Sequence, residues 1–307
     1  MNEELLKIFG PEIPNHSAIA IGAFDGLHRG HQHILNNMIT YVRENELTAA
    51  VILFDPLPRE FFSGLGYNDR ILLRAEQEPM LYEMGINKVI YLPFSQSIAD
   101  ITPEDFISSM QLVFHCDRLF MGADHVLGKG GTGTTAVLTK LGEKYGFSTE
   151  VIEKDWMDGE VISSTRIREL LHAGNVSEAN RLLGYPFFFS GEIIHGDARG
   201  RTLGFPTLNI KIPDGKLRLP NGVYATYADL DGKRYTAVTN VGVRPTFGLE
   251  EHGVFVETYL LNTNGDFYGD ELKLEFIEML REEIKFDTAE ALKEQIDRDI
   301  DKANNIL

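Results

Sequence analysis

The sequence predicts two domains of different classes: an α/β domain with a Rossmann-like parallel sheet, then a small antiparallel β-barrel with a C-terminal helix. At 307 residues the chain is longer than one ordinary domain. Apolar strands alternate with amphipathic helices over residues 17–150, whereas strand-like runs separated by Gly and Asn turns follow Pro186. We therefore expect domains at residues 1–186 and 187–307.

The first half consists of strand–helix–strand units. Ser17–Phe24 is an apolar run typical of a buried strand, and His31–Asn45 carries apolar residues at helical spacing. The same reasoning predicts strands at Thr48–Phe54, Lys88–Leu92, Leu119–Met121 and Phe147–Ile152, and helices at Ile71–Met84, from Thr102 onward, and at Thr134–Tyr145. This alternation favours a parallel sheet with helices on both faces.

The second half is rich in predicted strands. They are Phe187–Ile194, Val223–Leu230, Lys233–Val238 and Val254–Leu261. Asp231-Gly232 between two of them is a strong signal for a two-residue hairpin turn. A charged helix over residues 288–303 then completes a small antiparallel barrel.

Composition restricts the functional classes. The net charge of −17 repels nucleic acid and anionic lipid, so we expect neither as a partner. No apolar run approaches the roughly 18–20 residues of a membrane span, and the first residues lack the pattern of a secretion signal. Cys116 is the single cysteine, which suits a reducing compartment. We expect a cytoplasmic protein that is monomeric or only weakly self-associating.

A polar string joins the first strand to the first helix. It reads Gly22-Ala-Phe-Asp-Gly-Leu-His28-Arg-Gly-His31. A helix amino end offers unpaired N–H groups and partial positive charge, which suit a phosphate. His28 and His31 are three residues apart, so both can face that point, and Gly30 lets a ligand approach the backbone. A tight turn with two surface histidines is the simpler interpretation, but it does not account for the whole string.

This string resembles the GxFDGxHxGH signature of the FMN adenylyltransferase domain in bacterial bifunctional riboflavin kinase/FAD synthetases, which are HxGH nucleotidyltransferases. Ile162-Ser-Ser-Thr-Arg-Ile-Arg168 is similar to their SSTxIR motif. The resemblance implies that FMN phosphate attacks the α-phosphorus of ATP with Mg²⁺, while His28, His31 and Arg168 stabilise the transferring group. It also implies nucleotide contacts from Gly22, Phe24, Asp25, Gly30, Asp124, Ser164 and Thr165. We expect Ser164 to cap a helix.

The chain departs from this family pattern in two places. Phe54-Asp-Pro-Leu-Pro58 puts Leu57 where the family has histidine, and His125 and Leu127 replace aromatic residues of Gly-x-Asp-Phe-x-Phe-Gly. These departures favour an alternative, a monofunctional riboflavin kinase with a degenerate N-terminal domain. Gly128–Ala136 matches phosphate-loop and dinucleotide fingerprints only weakly, so we predict a flexible loop with some ligand contact.

A second glycine-rich string lies in the other half. It reads His195-Gly-Asp-Ala-Arg-Gly-Arg-Thr-Leu-Gly-Phe-Pro-Thr-Leu-Asn209. Its glycines at positions 196, 200 and 204 allow the backbone to wrap a polyphosphate. Thr207 and Asn209 lie two residues apart, hence on one side of an extended strand, and offer the hard oxygens that Mg²⁺ prefers. A glycine-rich hairpin with outward polar residues is the simpler interpretation.

The second string closely resembles the riboflavin kinase signature GRxxGFPTxN. The resemblance implies ATP contacts from Gly196, Gly200, Gly204 and Pro206, and metal ligation by Thr207 and Asn209. Val256-Glu257-Thr-Tyr-Leu resembles the family's EVHL strand, which makes Glu257 the general base and puts Tyr259 in place of histidine. Asn240 and Arg281 are the predicted flavin contacts.

Together the two signature sets predict an enzyme of FAD biosynthesis. It would convert riboflavin and ATP to FMN and ADP, and then FMN and ATP to FAD and pyrophosphate. Besides the kinase-only alternative, a non-catalytic flavin-sensing regulator could retain both folds. Intact His28, His31, Thr207, Asn209 and Glu257 argue against a regulator, because binding alone does not require all of them.

Overall fold

The computed structural model describes residues 2–10, 16–64, 69–194, 205–243, 254–261, 263, 267 and 269–307, and the elements below are numbered within this part. Its contacts divide it into two compact units. The first unit runs to Ser163 apart from a short segment ending at Ile71, which clusters with Ser164–Leu307 in the second. The domain boundary expected at residue 186 remains a prediction.

The first unit is built on a five-stranded parallel sheet in the order β3-β2-β1-β4-β7. Its strands are β1 Ser17–Ile21, β2 Thr48–Asp55, β3 Lys88–Pro93, β4 Cys116–Gly122 and β7 Ser148–Ile152. Its helices are α1 Glu3–Phe9, α2 Arg29–Asn45, α3 Pro58–Ser63, α4 Arg74–Met84, α5 Gln96–Ala99, α6 Pro103–Phe114 and α7 Thr135–Tyr145. The parallel α/β class predicted from the sequence is confirmed.

Local signals explain where these elements begin and end. Every residue of β1 is buried, as a central parallel strand requires. Helix α6 begins at Pro103 after Thr102, whose hydroxyl accepts the N–H of Asp105 at 3.1 Å. Helix α4 ends at Gly85, whose φ of 106° suits glycine.

The carboxyl ends of the parallel strands share one edge of the sheet. Strand β1 lies between β2 and β4, and its connection into α2 emerges at this edge. Two short hairpins also follow strands here: β5 Val126–Leu127 with β6 Gly133–Thr134, and β8 Trp156–Met157 with β9 Glu160–Val161. Ligands of open α/β sheets bind at such carboxyl edges, where the chain direction switches.

The second unit contains a six-stranded antiparallel sheet in the order β10-β15-β12-β13-β14-β11. Its strands are β10 Phe188–Glu192, β11 Leu208–Lys211, β12 Gly222–Leu230, β13 Lys233–Val243, β14 Val254–Leu260 and β15 Glu271–Glu282. Its helices are α8 Ser164–His172, α9 Val176–Leu183 and α10 Ala289–Ile306. A bridge between Ile194 and Asn209 links the two edges, so the sheet is a nearly closed barrel, as predicted.

The barrel wall has two different faces. Three buried threonines, Thr226, Thr239 and Thr258, are linked by hydroxyl hydrogen bonds of 2.7 and 3.1 Å on the inner face. On the outer face, α10 packs Ala303 against Val223 and its neighbours. Successive residues of a strand point to opposite faces. The pairing register of the strands therefore determines which side chains are neighbours on the outer face.

Helix α9 belongs to the barrel rather than to the parallel sheet. The side-chain amide of Asn180 donates to the carbonyl of Phe276 at 2.8 Å and accepts the N–H of Phe187 at 2.7 Å. The α8–α9 pair therefore packs with the second unit, which is why the contact division falls at Ser164. In the described part of the chain, none of the helices combines the length and apolarity needed to cross a bilayer.

Candidate active sites

The connection between β1 and α2 adopts a tightly constrained path. Phe24 and Leu27 have φ angles of 46° and 36°, and Gly26 has a φ of 82°. A side chain at Gly22 would come within 3.1 Å of the Phe24 ring, which explains the glycine there. Asp25 is 4% exposed, and its carboxylate accepts the N–H of Leu72 at 3.2 Å. This buried hydrogen bond stabilises the loop.

His28 is the residue that starts α2. Its Nδ1 accepts the backbone N–H of His31 at 3.3 Å, as an N-cap side chain does. Since Nδ1 accepts, the proton of the neutral ring lies on Nε2, which is then a donor. A side chain at Gly30 would meet His28 Nδ1 at 3.3 Å. The glycine therefore keeps the capping geometry open.

His31 stacks on His28. Their ring centroids are 3.6 Å apart with an interplanar angle of 18°, and the Phe24 ring meets His31 edge-on at 5.1 Å. Burial, and secondarily the neighbouring His28, hold the pKa of His31 well below its usual value. Its Nδ1 is buried and has no hydrogen-bond partner among the described residues. The structure therefore brings the two predicted histidines together at one helix amino end.

Asp124 follows β4 at the same edge of the sheet. It is exposed, and its carboxylate lies 3.0 Å from the Lys154 ammonium. The next residue, His125, points inward, and burial lowers its pKa to about 4. Its Nε2 is buried without a hydrogen-bond partner in the described part of the chain. The residue that replaces a family aromatic is thus a neutral, largely buried imidazole.

Leu57 occupies the capping position of α3. Its side chain is buried, and its backbone N–H donates to the Glu60 carboxylate at 2.7 Å. A histidine here could keep this backbone contact, because the Leu57 side chain takes no part in it. The backbone hydrogen bond that starts α3 is therefore made without the side chain at position 57.

An apolar pocket of about 310 Å³ opens at the β2 and β3 ends of the first unit. Its lining is Phe54, Pro58, Phe62, Phe94, Ile98, Ala99, Phe106 and residues of the β5–β6 hairpin. That hairpin packs tightly, since a side chain at Gly128 or Gly133 would collide with Pro103. The glycine-rich segment predicted as a loop thus forms one wall of an aromatic pocket.

The Ser-Ser-Thr motif lies at the start of α8 in the second unit. Ser164 is the first helical residue, so the prediction that Ser164 caps this helix is wrong by one position, and Ser163 precedes it. Arg168 is buried and donates through Nε to the Asp69 carbonyl at 2.8 Å. Thr165 is exposed on the first turn. The sequence missed the partnership of Arg168 with Asp69 because 99 residues separate them.

The strand register of the barrel aligns the predicted kinase residues. Asn209 on β11 pairs with Glu257 on β14, and Glu257 pairs with Asn240 on β13. The row continues through Val223 on β12 to Arg281 on β15. Directly opposed residues of antiparallel strands point to the same face. Four predicted site residues therefore share one row on the outer face.

Side-chain oxygens that could bind a metal ion lie at the Asn209 end of this row. Asn209 is 4% exposed, and its amide donates to the Thr207 carbonyl at 3.4 Å. The described residues contain no cluster of three or more His, Cys, Asp and Glu able to hold a metal. Thr207, Asn209 and Glu257 nonetheless offer neutral and anionic oxygens, which fit Mg²⁺. Pro206 is exposed just before this set, while Gly196, Gly200 and Gly204 lie outside the described residues.

Tyr259 connects β14 to the end of the glycine-rich string. Its ring meets the Phe205 ring edge-on, with centroids 5.3 Å apart. Phe205 belongs to the Gly-Phe-Pro-Thr part of the motif, and Tyr259 is two residues from Glu257. The tyrosine that replaces the family histidine thus packs the strand of Glu257 against the string that carries Thr207.

Arg281 is held by α10. Its Nε lies 2.9 Å from Asp299, which is buried, and Gln295 donates to the same carboxylate at 2.8 Å. Burying a paired charge in this way fixes the arginine side chain against the helix. Arg281 therefore lies at the end of the row in a defined position.

Comparison with known proteins gives matches to both units. A family model described as FAD synthetase matches residues 10–166, and one described as riboflavin kinase matches residues 183–307. Bifunctional riboflavin kinase/FMN adenylyltransferases are similar along most of the chain. The Bacillus subtilis protein is 34% identical over 94% of this chain and 91% of its own, and the Escherichia coli K12 protein is 35% identical over 86% and 84%.

The fold has a solved counterpart. A Streptococcus pneumoniae crystal structure described as a macrolide-efflux protein has a TM-score of 0.89 and 30% sequence identity. The match covers 98% of this chain and 97% of that one. The folds of the two units are therefore shared with that protein.

Proposed function

This chain belongs to the family of bifunctional riboflavin kinases/FMN adenylyltransferases, and we propose how its own residues divide the two reactions. It is an enzyme of FAD biosynthesis that phosphorylates riboflavin with ATP and adenylylates FMN with ATP. The kinase residues belong to the barrel, and the histidine motif to the parallel-sheet unit. Matches to both family models favour a bifunctional enzyme over a kinase with a degenerate first domain or a flavin sensor.

The kinase proposal rests on the cross-strand pairing of Asn209 with Glu257. The Glu257 carboxylate accepts the proton of the riboflavin 5′-hydroxyl as that oxygen attacks the γ-phosphorus of ATP, and ADP leaves. Asn240, on the other side of Glu257, orients the flavin by its amide. Arg281, fixed by Asp299, is a further flavin contact at the far end of the row.

Thr207 and Asn209 are the residues that would hold Mg²⁺ in the kinase site. When bound, Mg²⁺ would neutralise charge on the ATP phosphate oxygens. The buried position of Asn209 supports this role, because its amide donates to the Thr207 carbonyl and is thereby oriented. Gly196, Gly200, Gly204 and Pro206 are proposed to contact the same phosphates, on the strength of their motif.

The adenylylation proposal rests on the stacked pair of His28 and His31. At the amino end of α2, Nε2–H of His28 donates to an oxygen of the α-phosphate as FMN phosphate attacks and pyrophosphate leaves. His31, kept neutral by burial, supplies a second ring that hydrogen-bonds the transferring group. Gly22, Phe24, Asp25 and Gly30 shape this loop for a phosphate.

The remaining adenylylation residues are proposed from their motifs. Ser164, Thr165 and Arg168 hydrogen-bond phosphate oxygens, with Arg168 also acting on charge in the transition state. Asp124 contacts the nucleotide from the end of β4. These roles are independent of the kinase row, so each set is open to separate mutation.

We assign the flavin ring of FMN to the aromatic pocket at the β2 and β3 ends of the first unit. An isoalloxazine ring is flat and largely apolar, and rings of this kind pack well against phenylalanine side chains. Phe62 is 68% exposed and lies at the pocket, which leaves a ring surface for the ligand to cover. This assignment gives the first unit a subsite for each end of FMN, its ring and its phosphate.

A product assay tests the proposed function. Purified protein is incubated with ATP and Mg²⁺, once with riboflavin and once with FMN, and the flavins are separated. We expect FMN to form first and FAD to follow from riboflavin, and FAD to form directly from FMN. FMN that accumulates without FAD across nucleotide and metal conditions would refute the adenylyltransferase half. We further propose that the enzyme works in the cytoplasm as a monomer or with weak self-association.

A further inference from the structure

The chain's single tryptophan occupies an exposed position in the first unit. Trp156 is 66% exposed and lies on β8, where it pairs with Val161 of β9. Asp158 and Gly159, both with positive φ, form the tight turn between these strands. Tryptophan is usually well buried, so a ring presented this way on a short hairpin calls for a contact outside the described fold.

Two side-chain contacts fix the base of this hairpin beside the phosphate-binding loop. Asp155 lies 2.8 Å from His33 of α2, and its other oxygen is 3.9 Å from where a side chain at Gly30 would begin. Lys154 lies 3.0 Å from Asp124 at the end of β4. The residue next to Trp156 therefore lies directly against the Gly30 turn.

The hairpin and the aromatic pocket lie at different positions along the carboxyl edge of the sheet. The sheet order is β3-β2-β1-β4-β7. The pocket is lined from the β2 and β3 ends and by the β5–β6 hairpin after β4, whereas the hairpin of Trp156 follows β7. Strand β7 lies two positions from β1, roughly 10 Å at the usual strand spacing. That distance suits a ribose and a base extending from a phosphate at His28.

FAD carries its flavin and its adenine at opposite ends of a diphosphate. With the reacting phosphates at His28 and His31, the hairpin of Trp156 is within reach of the adenine, because Asp155 at its base lies beside Gly30. We propose that Trp156 stacks on the adenine base of ATP during FMN adenylylation. This inference rests on the proposed function of the first unit and adds a base-binding residue to it.

The chemistry of the hairpin suits a nucleobase. Four acidic residues, Glu153, Asp155, Asp158 and Glu160, surround the hairpin, and its one lysine, Lys154, is paired with Asp124. This excess of negative charge disfavours a phosphate at its tip. An adenine is uncharged and offers a π-face, and stacking on an aromatic ring requires no charged group. The tryptophan ring therefore binds the base while the phosphates stay at the α2 amino end.

Intrinsic fluorescence tests this contact in the wild-type protein, because Trp156 is the single tryptophan. ATP with Mg²⁺ is titrated without flavin, and inorganic tripolyphosphate with Mg²⁺ serves as the base-free control. We expect ATP to change the tryptophan emission, and the ATP concentration at half-maximal change to match that at half-maximal FAD formation. Tripolyphosphate should leave the emission unchanged. Unchanged emission at ATP concentrations that saturate FAD formation overturns the proposal, as does an equal response to tripolyphosphate.

Kinetics of two variants give an independent test. Trp156→Ala should raise the KM for ATP in FAD formation by roughly 5- to 100-fold, as expected for one lost base stack, with little change in kcat. Trp156→Phe should restore most of the affinity. Phe62→Ala, in the pocket assigned to the flavin ring, should instead raise the KM for FMN. If Trp156→Ala still makes FAD with an unchanged KM for ATP, the inference is refuted and the proposed function stands. If the wild-type protein makes no FAD, both the proposed function and the inference are refuted.

Discussion

Asn209 on β11 lies directly opposite Glu257 on β14, in a register that also sets Asn240 against Glu257. Opposed side chains of antiparallel strands have Cβ atoms about 4.5–5.5 Å apart. A proposed metal ligand and a proposed general base are therefore immediate neighbours, although 48 residues of sequence separate them. The strand pairing is therefore what brings these two proposed kinase residues together.

Replacing Asn209 should affect the metal requirement of the kinase. Asn209→Ala removes one oxygen ligand, so the Mg²⁺ concentration for half-maximal FMN formation should rise by about 10- to 100-fold. Asn240→Ala, in the same row, is the matched control and should raise the KM for riboflavin without moving the Mg²⁺ dependence. A similar Mg²⁺ shift in both variants would contradict the separate roles of the two amides.

His28 combines a structural and a chemical role that one substitution can separate. Asn is a good N-cap, so His28→Asn should keep the start of α2 while it removes the Nε2–H donor. FAD formation from FMN should fall by roughly 10²- to 10³-fold, the loss expected for one transition-state hydrogen bond. Thermal unfolding monitors the fold, and a fall in activity matched by a large loss of Tm would indicate a purely structural role.

His125 should make the protein sensitive to acid. Its pKa is lowered to about 4 in the folded state, whereas an unfolded histidine titrates near 6.5. As pH falls from 6.5 towards 4, the unfolded state binds the proton first, so the free energy of unfolding decreases.

Urea denaturation of His125→Phe checks this effect. Between pH 7.5 and pH 5, the wild type should lose about 2 kcal/mol more stability than the variant. Phenylalanine suits the site because the related family has an aromatic residue there. Parallel pH profiles for the two proteins would show that His125 is not the titrating group.

The sequence was sufficient for the fold classes and for motif-based choices of site residues, because both depend on short-range patterns. The strands β1 and β2 and the cap of α6 follow directly from apolar runs and Thr102-Pro103. Strand β15 was missed. Its sequence, Glu271–Glu282, alternates Leu and Phe at period two, but its Glu, Lys, Leu and Met residues favour a helix.

Features that depend on long-range contacts could not be predicted. The pairing of Asn209 with Glu257 needs the barrel register, and the aromatic pocket gathers Phe54, Phe62 and Phe94 from separate elements. The hairpin that carries Trp156 did have a local signal, Asp158-Gly159 between short apolar stretches. Its importance becomes visible only when Asp155 is seen beside Gly30.

The central claim is that two independent sites act in sequence, and a complementation assay tests it most directly. Glu257→Gln should lower FMN formation from riboflavin by about 10²- to 10⁴-fold while it still makes FAD from supplied FMN. The exposed Glu278→Gln is the matched control on the same barrel and should retain both activities. His28→Asn should make FMN from riboflavin but little FAD.

Neither active-site variant alone should therefore convert riboflavin to FAD, whereas an equal mixture with ATP and Mg²⁺ should do so, because FMN released by one protein is adenylylated by the other. Recovery of FAD in the mixture is the predicted result. If Glu257→Gln instead loses FMN formation and FAD formation from FMN to the same extent, and the mixture stays inactive, the two-site account is contradicted.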